Sequence, residues 1–247
     1  MKDRSLFEKV RNQKPDCFIV VGWYHMVPKS WRDLAPAYGM HASLLPRYSG
    51  GAPLVWAMIK GEEKTGITLF RFGSGVDSGP ILDQAETPIQ FGDDIGTLYA
   101  RIESLGLELL RNNIPKLVNG TARFRSQDES LRTTFPQRSP ADGLLSWRGT
   151  RFEVYNFVRA QTRPYPGAFF EFLGTRIKVW RCAIGPGDRV DSDGIGLAKA
   201  VDEGLLVNVL DGKILIREAE INGKVIRDKA LSDMFSHEKE LDLKALK

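Results

Sequence analysis

Apolar and polar positions in the first half of the chain follow the periods of strands and helices that share one sheet. The amphipathic stretch from Ser5 to Gln13 predicts a helix, and the apolar run from Cys17 to Val21 predicts a strand buried on both faces, as in a parallel sheet. Further strands are predicted over 38–42, 65–72 and 81–88, and further helices begin at Pro53 and after Asp94. Strands that alternate with helices indicate an α/β sheet.

The pattern changes after Gly120. Residues 121–140 are polar, lack a regular period and contain two prolines, which predicts a linker. A short amphipathic helix is predicted over 151–161, and evenly spaced short strands follow it, which favours a small β-barrel. These strands lie at 168–173, 176–183, 194–200, 205–210 and 213–218. The predicted domains are therefore 1–120, the linker 121–140, a barrel over 141–233, and a charged tail over 234–247.

Composition excludes several classes of protein. The chain has 247 residues, of which 42% are hydrophobic and 27% charged, as in ordinary globular domains. No apolar run approaches the roughly 18 residues of a membrane helix, and the N-terminal stretch does not resemble a signal peptide. Cys17 and Cys182 each lie in an apolar segment and are predicted to be buried free thiols. We therefore expect a cytoplasmic protein without membrane association.

The charge is only weakly basic. Residues 1–139 hold 18 Lys and Arg against 15 Asp and Glu, and residues 140–247 hold 17 against 16, within a net charge of +4. This balance allows an anionic substrate but does not demand nucleic acid. No Cys cluster or ligand-spaced histidines predict a metal site, and no phosphate-binding glycine loop implies ATP or NAD.

One of the three histidines stands out by its position. His237 lies in the charged tail and is expected to be solvated, whereas His25 lies in a loop. His41 ends a predicted strand, just before a loop rich in glycine and proline, and ligand sites of open α/β sheets form at the carboxyl ends of strands. Asp77 lies 36 positions further along, in a Gly-Val-Asp-Ser-Gly turn, where the residue type alone also suits a turn.

Three motifs in order carry a family resemblance. The stretch from His41 to Pro53, HASLLPRYSGGAP, resembles the central motif of the formyltransferases that use 10-formyltetrahydrofolate, and Thr65 to Thr68 and Gly75 to Leu82 are similar to the two motifs that follow it. The spacing of His41 and Asp77 matches the catalytic pair of that family. Trp147 and the stretch 163–169, RPYPGAF, look like the start of the C-terminal domain of methionyl-tRNA formyltransferase.

The resemblance implies a partial Rossmann-like domain followed by a small OB-like barrel, and it implies a reaction. An amine attacks the formyl carbon of 10-formyltetrahydrofolate, and the oxyanion that develops needs a donor placed in advance. His41 would supply that donor, and Asp77 would hold the imidazole and accept the amine proton. The expected contacts to the folate come from the loop Ser43, Leu44, Leu45 and Pro46 and from the segment 22–27, including His25 and Val27; Trp23 and Tyr24 are candidates for stacking.

The chain departs from the family pattern in two places. Gly39 stands where the family usually has a catalytic asparagine, two positions before the histidine, so one oxyanion contact is missing. Family members also begin with roughly 60 to 70 further residues that form the first part of the sheet. Without these strands, apolar sheet edges would be exposed, and we expect the chain to be poorly stable or oligomeric; a cooperative melt of a monomer would contradict this.

Several functions stay open at this stage. Methionyl-tRNA is the leading acceptor because the C-terminal domain matches, and a nucleotide sugar is the main alternative because sugar N-formyltransferases share the catalytic domain. Since the hydrolase domain of formyltetrahydrofolate dehydrogenase also lacks the asparagine, a hydrolytic relative is a third reading. An inactive folate-binding or scaffold protein is a fourth, although the presence of both His41 and Asp77 argues against it.

Overall fold

The computed structural model describes residues 4–23, 25–187, 191–236 and 241–243. It divides into two compact units. The first comprises Met1–Leu54, Glu63–Ile89 and Tyr99–Gln137, and the second comprises Val55–Glu62, Gln90–Leu98 and Arg138–Lys247. No helix among the described residues is both long enough and apolar enough to cross a membrane.

A four-stranded mixed sheet organises the first unit. In chain order the elements up to residue 135 are α1 (Arg4–Asn12), β1 (Phe18–Val20), α2 (Lys29–Leu34), β2 (Ala37–His41), β3 (Ser49–Gly50), α3 (Pro53–Ile59), β4 (Lys64–Arg71), β5 (Ile81–Pro88), α4 (Ile95–Val118) and β6 (Thr134–Phe135). Most of α3, and α4 up to Leu98, belong to the second unit. The strand order is β1-β2-β4-β5, with β1 parallel to β2 and the other pairs antiparallel. The predicted α/β class is therefore confirmed.

The two faces of this sheet differ. Met40 and Ile67 pack closely against Gly106 of α4. The closeness is shown by a Cβ atom placed at Gly106, which would lie 2.7 Å from Met40 Cε. Asn113 of α4 also donates a 2.7 Å hydrogen bond to Asp83 of β5. Since side chains alternate along strands, the opposite face carries the residues at odd positions of β2 and their cross-strand partners. The helix thus covers one face, and the candidate site lies on the other.

The burial predicted for β1 is wrong. β1 ends the strand order of its sheet, and one of its faces is covered by Trp31, whose ring lies 5.9 Å from that of Phe18. The opposite face stays open, with the Ile19 side chain 38% exposed. A continuous apolar run is typical of a central parallel strand, and here the same pattern belongs to a strand with one neighbour among the described residues.

A curled antiparallel sheet forms the second unit, as the small-barrel prediction required. Its elements are α5 (Arg151–Arg159), β7 (Ala168–Phe172), β8 (Thr175–Ile184), β9 (Leu197–Val201), β10 (Gly204–Val209), β11 (Gly212–Ile221), β12 (Lys224–Arg227), α6 (Asp228–Phe235) and β13 (Leu241–Asp242). The strand order is β13-β9-β10-β11-β8-β7, and β12 pairs with β11. Its core is apolar and includes Val179, Val207, Ile214, Leu231 and Leu243.

Two segments differ from the sequence-based expectation. Within the predicted linker, β6 pairs in parallel with β3 of the first unit. Within the predicted charged tail, Leu241 and Leu243 are 3% and 1% exposed, and Trp147 donates its indole N–H to the carbonyl of Leu243. Leu241 and Leu243 stand among charged residues in the sequence, so the sequence pattern does not predict their burial. The domain boundaries themselves stay a prediction.

Candidate active site

His41 is the last residue of β2 and pairs with Thr68 of β4. Its Nε2 lies 2.8 Å from the carbonyl oxygen of Tyr48, to which it donates a hydrogen bond. Tyr48 is itself held firmly, because its N–H donates to Thr133 Oγ1 at 2.9 Å and its ring stacks on Phe135 with centroids 4.8 Å apart. The backbone of Tyr48 therefore sets the orientation of the imidazole.

Asp77 lies in the turn between β4 and β5 and faces the same histidine. Its Oδ2 accepts a 2.8 Å hydrogen bond from the Gly50 N–H and lies 3.7 Å from His41 Nδ1. That separation exceeds a direct hydrogen bond of about 2.7–3.2 Å. The two side chains are 11% and 19% exposed, so each keeps an accessible edge. Both side chains therefore remain partly open to solvent.

The imidazole faces an oxygen acceptor at each ring nitrogen. A protonated ring offers an N–H at both positions, one directed to Tyr48 and the other toward Asp77. A neutral ring that keeps its proton on Nε2 leaves Nδ1 as an acceptor on the Asp77 side. The pair can thus present a proton donor to a developing oxyanion or accept a proton, according to its protonation state.

A rigid loop adjoins the pair and contains the predicted folate contacts. Thr68 Oγ1 donates to the Ser43 carbonyl at 2.6 Å and accepts from the Leu45 N–H at 3.1 Å and from Gln84 Nε2 at 2.8 Å. Gln84 also donates to the Leu45 carbonyl at 3.0 Å. The one hydroxyl of Thr68 thus uses its donor and one acceptor position on the loop and its other acceptor position on Gln84 of β5.

The side chains of this loop have different environments. Ser43, Leu45 and Pro46 are buried, and the Ser43 hydroxyl donates to the Arg47 carbonyl at 2.7 Å. Leu44 is only partly buried. It approaches the backbone of β4 because Gly66 has no side chain there; a Cβ atom at Gly66 would lie 2.6 Å from Leu44 Cδ2. Leu44 is therefore the apolar side chain of the loop with surface still available to a ligand.

The segment after β1 leaves the sheet at the same edge as His41. Val20 of β1 pairs with Gly39 in a parallel ladder, so the carboxyl ends of β1 and β2 lie side by side. Val27 is buried and its carbonyl accepts from Arg32 Nε at 3.1 Å, whereas His25 is exposed with its ring 5.5 Å from that of Trp23. Contact of His25 and Val27 with the folate stays a prediction.

Tyr24 and His237, which the sequence also singled out, lie outside the described residues. Cys17 and Cys182 are free thiols, and both are partly rather than fully buried. Within the described part of the chain, no group of three or more His, Cys, Asp or Glu side chains is arranged to hold a metal ion.

The space beside Gly39, where the family resemblance implies an asparagine, is filled by the residue that follows β4. Gly39 lies two residues before His41 and therefore on the same face of β2. A Cβ atom placed at Gly39 would lie 1.9 Å from Cε1 of Phe72, so the aromatic ring occupies that space. Phe72 packs against Phe70, with ring centroids 5.2 Å apart. Gly39 and Phe72 therefore present an apolar surface on the face of β2 that carries His41.

Sequence reasoning missed several residues that hold the site. Thr68 belongs to one of the recognised motifs, but only the fold shows that it supports the loop. Gln84 carries no motif signal. Gln127 and Arg132 lie in the stretch assigned to a linker, where polar residues are unremarkable, yet Gln127 donates to the backbone carbonyl of Asp77 at 2.6 Å. Their polar contacts with distant backbone are invisible without the fold.

Two family models cover most of the chain, and they define its class as a transferase of formyl groups. The formyl transferase family model matches residues 1–114, and the model of the formyl transferase C-terminal domain matches residues 138–230. The chain belongs to the formyl transferase family. A relative is the methionyl-tRNA formyltransferase of Geotalea uraniireducens, 36% identical over 223 residues, which are 89% of this chain and 70% of the relative.

Two solved structures share the fold. HypX from Aquifex aeolicus in complex with tetrahydrofolic acid superposes with a TM-score of 0.70 at 18% identity, over 94% of this chain and 40% of HypX. The N-formyltransferase from Helicobacter canadensis in complex with folinic acid and dTDP-3-aminofucose gives a TM-score of 0.66 at 23% identity, over 81% of this chain and 72% of that structure. At these identities the likeness concerns the fold alone.

Proposed function

We propose that this formyltransferase takes the formyl group of 10-formyltetrahydrofolate and transfers it to the amino group of methionyl-tRNA, with His41 and Asp77 as the catalytic residues. The observation that carries the proposal is the approach of His41 Nδ1 and Asp77 Oδ2 to 3.7 Å at a partly exposed edge of the sheet. The family supports the reaction type, and the Geotalea relative supports the acceptor.

The residues beside the pair suit a folate. The partly exposed Leu44 offers an apolar contact for an aromatic ring system, and the loop that carries it is fixed by Thr68 and Gln84. The two structures with tetrahydrofolic acid and folinic acid share the fold. The donor would thus lie against residues 43–46, with segment 22–27 at the neighbouring strand end and its formyl group toward His41.

Each of the two proposed catalytic side chains has its own task in this reaction. The amine attacks the formyl carbon, the carbonyl oxygen becomes an oxyanion, and the Nδ1–H of protonated His41 donates to it. Asp77 accepts the proton that the attacking nitrogen loses, directly or through one water. The Gly50 N–H, which donates to Asp77 Oδ2, keeps the carboxylate in place during this exchange. The oxyanion then collapses, the bond from the formyl carbon to the folate nitrogen breaks, and that nitrogen leaves with the proton that Asp77 returns to it, which yields the formamide.

A nucleotide sugar is the second candidate acceptor. The fold of the Helicobacter canadensis enzyme, whose structure contains an amino-sugar nucleotide, matches 81% of this chain. The near-neutral barrel half of the chain, with 17 basic and 16 acidic residues, does not favour an RNA ligand over this alternative. The identity of the relatives favours methionyl-tRNA. We also propose a cytoplasmic location, where methionyl-tRNA is used.

One experiment separates these functions. Purified protein is incubated with 10-formyltetrahydrofolate labelled in the formyl carbon, and with methionyl-tRNA, an amino-sugar nucleotide or no acceptor. We expect label in methionyl-tRNA, and its loss in His41→Ala and Asp77→Asn. Label in the sugar alone would contradict the acceptor, and labelled formate without any acceptor would indicate a hydrolase. No product in any reaction would contradict the proposal as a whole.

A further inference from the structure

A segment that follows α4 holds both halves of the catalytic pair from outside the sequence motifs. Gln127 Nε2 donates to the carbonyl oxygens of Asp77 at 2.6 Å and Gly79 at 2.7 Å. One amide group therefore spans the turn that carries the catalytic carboxylate. Asp77 has φ +48°, in the left-handed region that non-glycine residues rarely adopt. Such a conformation persists where surrounding contacts fix it.

Arg132 completes the connection. Its guanidinium donates to Gln127 Oε1 at 3.0 Å and to the Ser49 hydroxyl, and it pairs with Glu129. Ser49 in turn donates to the Pro46 carbonyl at 3.1 Å. The Arg132 side chain is only 18% exposed, so its contacts with Gln127 and Ser49 are largely shielded from solvent, whereas Glu129 is exposed.

Arg132 keeps its positive charge in this environment, because its pKa is raised. The hydrogen bond that Arg132 donates to Glu129 is the main cause that raises the pKa of Arg132, and the charges of Glu129 and Asp77 add to it, outweighing the effect of burial. A permanent positive charge thus lies near the catalytic carboxylate. The same segment reaches the histidine, because Thr133 accepts from the Tyr48 N–H and Tyr48 accepts from His41.

We propose that Gln127 and Arg132 are positioning residues of the active site, which hold Asp77 at its distance from His41. Gln127 fixes the turn of Asp77, and Arg132 fixes Gln127 and ties it to the loop at Ser49. Neither side chain touches the reacting atoms in this role. The inference rests on the proposed function for its kinetic test, although its structural test does not.

Kinetics of the full chain provide the first test. Gln127→Met keeps the length of the side chain but removes both donors, and we expect kcat to fall about 10- to 100-fold, since a misplacement near 1 Å can cost that much. KM for the folate donor should change less than about twofold, because the loop at 43–46 keeps its own supports at Thr68 and Gln84. The exposed Gln90→Met is the matched control and should leave kcat unchanged.

A second pair of variants separates charge from geometry. Arg132→Lys keeps the positive charge but loses the planar fork, and Arg132→Met loses both. We expect kcat to decrease in the order wild type, Arg132→Lys, Arg132→Met. The exposed Arg217→Met, in the second unit, serves as the control for loss of an arginine.

A double-mutant cycle distinguishes positioning from a general structural role. If Gln127 acts through Asp77, Gln127→Met should lower the residual activity of Asp77→Asn by less than about twofold. Additive losses in the cycle, or equal losses of kcat for Gln127→Met and Gln90→Met, would overturn the inference while the proposed function stands.

An NMR measurement tests the positioning role of Gln127 even if the protein shows no formyl transfer. The ring proton signals of His41, assigned by their absence in His41→Asn, are followed by NMR. We expect them to shift in Gln127→Met and to stay in place in Gln90→Met. Unchanged signals would overturn the inference. Absence of product in the wild type, together with shifted signals, would instead contradict the proposed function alone.

Discussion

The aromatic ring of Phe72 occupies the space that any side chain at Gly39 would need. A Cβ atom at Gly39 would lie 1.9 Å from Phe72 Cε1, far inside the contact distance of two carbon atoms. Gly39 and Phe72 thus form a packing pair, in which the lack of a side chain at Gly39 makes room for the ring of Phe72. The absence of a side chain at residue 39 and the presence of a large ring at residue 72 therefore depend on each other.

This pairing predicts the stability of variants at both positions. Gly39→Asn alone should lower the free energy of unfolding by about 1–3 kcal/mol through overpacking. In the background of Phe72→Ala, the same substitution should cost clearly less, because the ring is gone. Chemical denaturation of the four proteins measures the coupling. Gly92→Asn, where a Cβ atom meets nothing within 4 Å, is the control, and equal effects at Gly39 and Gly92 would refute the pairing.

The proposed catalytic roles of His41 and Asp77 predict that substitution of either residue causes a large loss of rate without a loss of folding. His41→Ala removes the donor to the oxyanion, and kcat should fall by about 10²–10³-fold. Asp77→Asn keeps the size of the side chain but cannot accept a proton, and a fall of about 10²-fold or more is expected. Rapid-quench measurement of single-turnover transfer is the appropriate assay. The exposed Asp202→Asn should behave as wild type, and full activity of either catalytic variant would remove that residue from the mechanism.

The contacts of Thr68 predict that its substitution lowers the stability of the protein and weakens its binding of the folate donor. Thr68→Val keeps the shape but removes the hydroxyl that serves Ser43, Leu45 and Gln84, at a site with 0% exposure. Leaving buried polar groups unsatisfied costs about 1–3 kcal/mol each. We expect a lower melting temperature and a higher KM for the folate donor.

Thr87→Val provides the comparison for this variant. Thr87 is also buried, but its hydroxyl makes a marginal 3.5 Å contact with the Pro88 carbonyl. Its effect on melting temperature should be the smaller of the two, and its effect on KM negligible. If both variants behaved alike, the support of the loop by Thr68 would be disproved.

A buried carboxylate makes the second unit sensitive to acid. Glu218 is 5% exposed and pairs with Arg163 and Arg227, each at 2.8 Å. Burial alone would raise the pKa of Glu218, but the hydrogen bonds and charges of Arg227 and Arg163 outweigh it and hold the pKa below its ordinary value of 4.5. The stabilisation is therefore fully present above pH 4.5 and is lost as the pH falls through the lower folded value.

The test compares melting temperature against pH for the wild type and Glu218→Gln. The wild type should be the more stable protein at neutral pH, and the difference should shrink as the pH drops below 4.5. Glu171→Gln, which alters an exposed ion pair, should show a much smaller difference. Parallel curves for Glu218→Gln and wild type across this range would contradict the assignment.

Local patterns along the chain were sufficient to predict most elements of the fold. The helix after Asp94 shows apolar residues at three- and four-residue steps, and α4 indeed begins at Ile95. The strand predicted from residue 81 to 88 is β5 with the same bounds. Such elements are predictable because each buries one face or one stripe of its own sequence.

The remaining features depend on contacts between distant residues. β3 and β6 have two residues each and pair across 85 positions, as Ser49 does with Thr134, so neither has a period of its own. The open face of β1 depends on its place in the strand order rather than on its composition. Motif spacing brought His41 and Asp77 to attention, but the roles of Thr68 and Gln127 follow from hydrogen bonds to backbone groups far along the chain.

The stacking of Tyr48 on Phe135 limits where the enzyme can be cut into smaller active fragments. Every recognised motif of the catalytic half ends by Leu82, and a fragment cut after Val118 would still contain all of them. That fragment would nevertheless lack the partner of Tyr48, and with it the anchor of the carbonyl that orients His41. A minimal catalytic fragment must therefore extend through Phe135, and motif boundaries are a poor guide to where this enzyme can be divided.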